Sequence, residues 1–200
     1  MSRIIRLFAV FLAAATASLL AAEQVALLSP TEAIKLLQRG GYILYFRHAS
    51  TDFSQNDAKM TSYEDCANQR NLTAQGRAEA HAIGQAIHAL DIPIGKVRAS
   101  PYCRTVETAE LAFGRAEKTQ EARGGPAQPV DPDRYAALRK LLEQPPKRGT
   151  NDVIVSHGNP FHAVTGLPYL DEGEAAMVQA DGAGFNVIAR IKKDEWRASR

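Results

Sequence analysis

Apolar residues recur at helical spacing in four stretches of the chain and gather into short blocks between them. Ser29-Pro30-Thr31 ahead of Ala33, Ile34, Leu36 and Leu37 predicts a capped amphipathic helix, stopped by Gly40-Gly41. Tyr42 to Phe46 is an unbroken apolar and aromatic run, which predicts a strand buried on both faces at the centre of a sheet. Thr73 opens a second helix through Ala78, Ala80, Ala82, Ile83, Ala86, Ile87 and Leu90, ended by Asp91-Ile92-Pro93. A short strand over Val97–Ser100 follows, then a turn at Pro101 entering a helix that runs to Phe113 and stops at Gly114. Asp131-Pro132 begins a fourth helix reaching Leu142, with Pro145-Pro146 beyond it. Asp152–Ser156 is a second buried strand, and Ala175–Val178 and Phe185–Ile191 are two more, joined through the turn signal Asp181-Gly182. Strands alternating with helices and closing on a hairpin predict a three-layer α/β/α sandwich, its central sheet mostly parallel with an antiparallel C-terminal hairpin.

Three segments fall outside this periodicity. Residues 49–71 are polar and irregular, with Asp52, Ser54, Gln55, Asn56 and Asp57 supplying turn chemistry; a loop of that length directly after a strand is typically functional or disordered. Residues 115–128 are mostly polar, with a Gly124-Gly125-Pro126 break, and read as a flexible surface loop. At the N-terminus, Arg3 and Arg6 precede an apolar, alanine-rich run from Leu7 to Ala22, the order of a secretory signal peptide rather than a membrane span, which needs about 20 apolar residues. The expected organisation is a signal peptide over residues 1–22 and one domain over 23–200, periplasmic or secreted, with no stable membrane insertion after cleavage. Ala15-Thr16-Ala17 offers an alternative cut.

Cleavage changes the charge reading. The whole chain carries 24 Lys and Arg against 22 Asp and Glu; losing Arg3 and Arg6 leaves 22 of each, so nothing in the balance suits nucleic acid or an anionic membrane. Export also bears on the two cysteines, Cys66 and Cys103, which an oxidising compartment would let pair. A bridge between them would stabilise by about 4 kcal/mol on the chain-entropy view. Two unpaired thiols are the other reading. Metal binding is disfavoured because no Cys-x-x-Cys pair is present.

Chemistry concentrates where three of the expected strands end: Phe46-Arg47-His48, Ser100-Pro101-Tyr102-Cys103-Arg104 and Val155-Ser156-His157-Gly158. In open α/β sheets ligands bind beyond the carboxyl ends of the strands. A lone histidine after a strand is more often structural than catalytic. Two histidines with an arginine at the head of a helix form a set suited to phosphate, because guanidinium forks and helix N-termini both favour anions.

In order along the chain, Tyr42–Ala49, Asn71–Arg77, Ser100–Ala109 and Val153–Gly158 resemble the histidine phosphatase superfamily, which includes the cofactor-dependent phosphoglycerate mutases. The resemblance implies a nucleophilic His48 that becomes a phosphohistidine, with Arg47, Arg104 and His157 around the phosphoryl group. It also implies a small-molecule phosphomonoester substrate and no cofactor or metal. Two features depart from the mutase pattern. Ala49 stands where mutases carry glycine, and the acid that protonates the departing alcohol is hard to place. Gly158 occupies the position that is aspartate in the acid-phosphatase branch, leaving Glu121, Glu172 and Glu174 as candidates, each of which also reads as an ordinary surface carboxylate. Arg70 either contacts substrate phosphate or pins its loop through a salt bridge. His162 has a structural or rim role, and His81 and His88 are ordinary helix residues. The expected activity is that of an exported, metal-independent phosphomonoesterase. The alternatives are a phosphotransferase or mutase, and a module that binds phosphate esters without turnover.

Overall fold

The computed structural model describes residues 26–126, 131 and 133–197, so the expected signal peptide over residues 1–22 lies outside the described residues. The first helix, α1 (Pro30–Leu37), starts as its sequence predicts. The Ser29 hydroxyl accepts from the Glu32 N–H while the Glu32 carboxylate accepts from the Ser29 N–H, and Pro30 occupies the first turn, where a missing N–H costs nothing. Gly40 and Gly41 end it at positive φ. Then come β1 (Ile43–Arg47), α2 (Ala74–Ala89), β2 (Ile94–Ala99), α3 (Cys103–Phe113), β3 (Glu117–Lys118), α4 (Ala136–Leu142), β4 (Asn151–Ser156), α5 (Gly158–Thr165), β5 (Ala175–Ala180) and β6 (Phe185–Ile191).

The strands form one sheet in the order β3-β2-β4-β1-β5-β6. β3, β2, β4 and β1 run parallel, while β5 lies antiparallel on β1 and β6 antiparallel on β5, as expected from the C-terminal hairpin. Side-chain alternation along β1 divides the core. Leu44 and Phe46 face α1, α2 and α3, meeting Leu37, Ile83 and Ile87, whereas Ile43 and Tyr45 face α4 and α5, meeting Leu138, Leu142 and Phe161. Both faces of the central strands are therefore dry, which is why Tyr42–Phe46 reads as an unbroken apolar run.

Three expectations need correction. Residues 115–126 are not a loose surface loop: β3 adds an edge strand to β2, Gln120–Ala122 turn as a short 3-10 helix, and Ala122 is fully buried. Polar composition hid this because an edge strand of two residues has one paired side and no periodicity to display. The helix expected from Asp131 begins only at Ala136, after a turn closed by Arg134 N–H to Asp131 O and Ala136 N–H to Asp133 O. The helix α5, directly after His157, has no counterpart among the sequence-predicted elements. Its eight residues include Gly158 and Pro160, poor helix formers in isolation, and burial of Phe161 and Val164 holds it.

Two connections aim the sheet's carboxyl edge. The segment leaving β1 crosses the N-terminus of α2 so closely that a Cβ at Gly76 would stand only 2.0 Å from Ser50 O, and glycine alone permits that approach. On the other side Thr108 of α3 accepts the Ala49 N–H and donates to Arg104 O, tying the end of β1 to α3.

Candidate active site

Because β2, β4 and β1 are adjacent and parallel, the residues that follow them emerge side by side. A cleft of about 410 Å³ opens there, and Arg47, His48, Arg104 and His157 all line it. The sequence-predicted set is thus brought together, and Arg70, reaching in from the 49–71 loop, joins it.

His48 is almost completely buried, and its Nδ1 lies 3.0 Å from the carbonyl oxygen of Ala49. A carbonyl can only accept, so Nδ1 carries the ring proton and Nε2 keeps a free lone pair. Burial, reinforced by the charge of Arg104, holds the His48 imidazole well below its usual proton affinity, so it is neutral near pH 7. His157, its ring centroid 5.4 Å away, is neutral for the same reasons. Ser100 Oγ lies 2.8 Å from His157 Nε2, and the Tyr45 hydroxyl donates to the His157 carbonyl from inside the core. These contacts orient both the ring and the backbone that begins α5.

The arginines are committed differently. Arg47 donates to Leu170 O at 2.8 Å and lies 3.4 Å from Glu172 Oε1, while Arg104 places both terminal nitrogens on the two oxygens of Asp57, at 3.0 and 3.1 Å. The Nε–H groups of both are buried and find no hydrogen-bond partner among the described residues. Buried unpaired guanidinium donors are costly. The guanidinium of Arg70 stands 4.0 Å from Glu172, the loop-pinning salt bridge expected of it, and stacks 4.7 Å over the Phe53 ring while lining the cleft.

The 49–71 loop is built from the turn chemistry its sequence shows: Asp52 accepts from Ser54, Asn56 from the Ala58 N–H, and Asp65 from Thr61 and Asn68. A Cys66–Cys103 disulfide joins it to the first turn of α3, beside Arg104. Buried Gln69 adds to the join by accepting the Cys103 N–H. The outer wall comes from the 115–126 segment, where a Cβ at Gly124 would meet the His157 ring at 3.1 Å.

None of the three candidate acids lines the cleft. Glu172 accepts from the Thr51 hydroxyl and N–H and stands 3.9 Å from His48 Nδ1, on the side of the ring away from the free Nε2. Glu174 is buried against Arg190 through two contacts of 2.7 Å. Glu121 is exposed and held below the usual carboxylate range by the Thr119 hydroxyl. Asp57 is the one carboxylate among the described residues lining the cleft, and sequence reasoning passed over it. It stood in a run of turn formers with no spacing to set it apart from Asp52 or Asp65. His162 bonds Leu167 O within α5's C-terminal turn and stacks on Tyr169, a structural placement next to the rim. His81 and His88 are exposed on α2. No group of three His, Cys, Asp or Glu side chains able to hold a metal occurs among the described residues.

Fold and cleft define the class: an α/β sandwich with a histidine- and arginine-lined cleft at the carboxyl ends of its parallel strands. Residues 43–125 match the family model of the histidine phosphatase superfamily (branch 1). Solved structures similar to it include the protein histidine phosphatase SixA complexed with tungstate, at 17% identity and TM-score 0.55, covering 78% of this chain and 99% of that one. A phosphoserine phosphatase from Entamoeba histolytica, in complex with 3-phosphoglyceric acid, superposes at 13% identity and TM-score 0.53, covering 78% and 99%. Phosphoglycerate mutase from Bacillus anthracis does so at 12% and 0.53, covering 80% and 97%. At these identities the superpositions show a shared fold. No curated protein matches the chain significantly.

Proposed function

We propose that this chain is an exported, metal-independent phosphomonoesterase that works through a phosphohistidine on His48. The observation that carries the reading is the hydrogen bond between His48 Nδ1 and Ala49 O, which leaves a neutral Nε2 open beside three arginines. Nε2 attacks phosphorus as the bond to the ester oxygen breaks; water then attacks the phosphohistidine, releasing phosphate and restoring the imidazole. Arg47, Arg104 and Arg70 neutralise charge on the transferring phosphoryl oxygens. A cleft of about 410 Å³ suits a small ester rather than a folded phosphoprotein surface. The disulfide is compatible with export, to which residues 1–22 would direct the chain before removal.

The test is phosphate release from p-nitrophenyl phosphate by the purified chain, with and without chelator. Release should survive chelator, fall by about 10³-fold or more in His48→Ala, and be accompanied by acid-labile phosphate on the wild-type protein. Full activity in His48→Ala would sink the reading. Phosphate moved within a substrate rather than released would instead identify a mutase.

A further inference from the structure

A phosphatase of this design needs a proton donor for the departing alcohol, and among the described residues the cleft holds one carboxylate. Asp57 grips Arg104 with both oxygens, at 3.0 and 3.1 Å, in the two-pronged arrangement that a phosphate would adopt on the same guanidinium. Its Oδ1 also accepts the Arg70 N–H at 2.9 Å. The free enzyme therefore keeps a carboxylate parked where the phosphoryl group binds, in a loop tethered at its far end by the disulfide and by Gln55 Oε1 accepting from the Asn71 N–H.

Resting on the phosphohistidine reading, we propose that Asp57 is the acid and base of both half-reactions, released from Arg104 by the incoming phosphate. A phosphate dianion that takes over the Arg104 fork strips the carboxylate of its countercharge and sets a like charge beside it, which favours uptake of a proton from solvent. The Asp57 side chain is 31% exposed, so solvent reaches it. In the first step the His48 Nε2–phosphorus bond forms, the phosphorus–ester oxygen bond breaks, and the Asp57 proton passes to the leaving oxygen. In the second step the Asp57 carboxylate takes a proton from the attacking water as its oxygen bonds phosphorus and the Nε2–phosphorus bond breaks. The balance closes with the free imidazole, inorganic phosphate and a protonated Asp57 that returns its proton to solvent. Glu172, Glu174 and Glu121 are committed elsewhere, so none competes for the role.

Leaving-group dependence tests this. A p-nitrophenolate departs without a proton and an alkoxide does not, so Asp57→Asn should keep the pre-steady-state burst of p-nitrophenol within about threefold while losing about 10²-fold or more on glycerol phosphate. Asp57→Glu should recover part of the glycerol phosphate activity, and serves as the second variant if Asp57→Asn fails to fold. An equal fall on both esters, or no fall on either, overturns the proposal. Absence of any burst or phosphoenzyme in the wild type would overturn the phosphohistidine reading itself, which keeps the two failures apart.

Discussion

The two ends of the same parallel strands are built on opposite terms. At the amino end, buried Asn151 at the start of β4 satisfies three backbone groups at once: its amide donates to Leu37 O and Pro93 O, and its oxygen accepts the Tyr42 N–H. One side chain thereby joins the end of α1 to the entries of β1 and β2, and no polar atom of it is left over. At the carboxyl end, two arginines keep buried Nε–H groups without partners, two histidines are held neutral, and a disulfide does the tethering. The lesson is that stability and readiness for a ligand are separated along about five residues of strand. The amino end is closed on itself, while the carboxyl end gathers arginines and neutral histidines around an open cleft.

The sharpest way to break this contrast is Arg104→Met. Phosphate release should fall by about 10³-fold, while stability to urea falls by no more than about 3 kcal/mol, the cost of leaving the partly exposed Asp57 carboxylate without its partner. A large loss of stability would show that the Arg104–Asp57 pair is structural. Replacing Cys66 and Cys103 together by alanine should lower stability by about 4 kcal/mol and reduce activity only partly, because Gln69 still docks the loop on α3. Asn151→Ala should cost about 3 kcal/mol in the same denaturation experiment yet leave kcat of the folded fraction unchanged. If kcat drops as well, the two ends are not independent.

The smallest effect concerns pH. Both buried histidines bind protons less readily folded than unfolded, where the ordinary value is about 6.5, so below that value the unfolded chain holds more protons. Their contribution to stability is complete above about pH 6.5 and is lost progressively as pH falls toward the lower folded values. The slope should not exceed about 1.4 kcal/mol per pH unit for each histidine. Denaturation curves at pH 7 and pH 5.5 should show the decline, and His48→Gln should flatten part of it. An unchanged slope in that variant would place the acid sensitivity elsewhere.

Much of the architecture is legible in the chain because local causes act alone. The Ser29 and Glu32 capping box, the glycine stop at Gly40 and the unbroken Tyr42–Phe46 run each act within a few residues, and all hold in the structure. Arg47, His48, Arg104 and His157 are legible for a related reason: each lies at a strand end or in the first turn of the helix beyond it, and parallel strands deliver such residues to one edge. The acid is a different case. Glu121, Glu172 and Glu174 are placed by contacts with Thr119, Thr51 and Arg190, of which only the first is a near neighbour in sequence. Asp57 reaches Arg104 across 47 positions of chain.

By itself, then, the sequence determined the α/β sandwich, the edge at which the chemistry collects and the residue types gathered there, because periodicity and strand direction are local properties. Tertiary structure decided which face of His48 is free, which carboxylate enters the cleft, that the 115–126 segment backs His157, and that α5 forms at all. Each of those depends on a contact between segments far apart in the chain, whose energy exists only once the fold has brought them together.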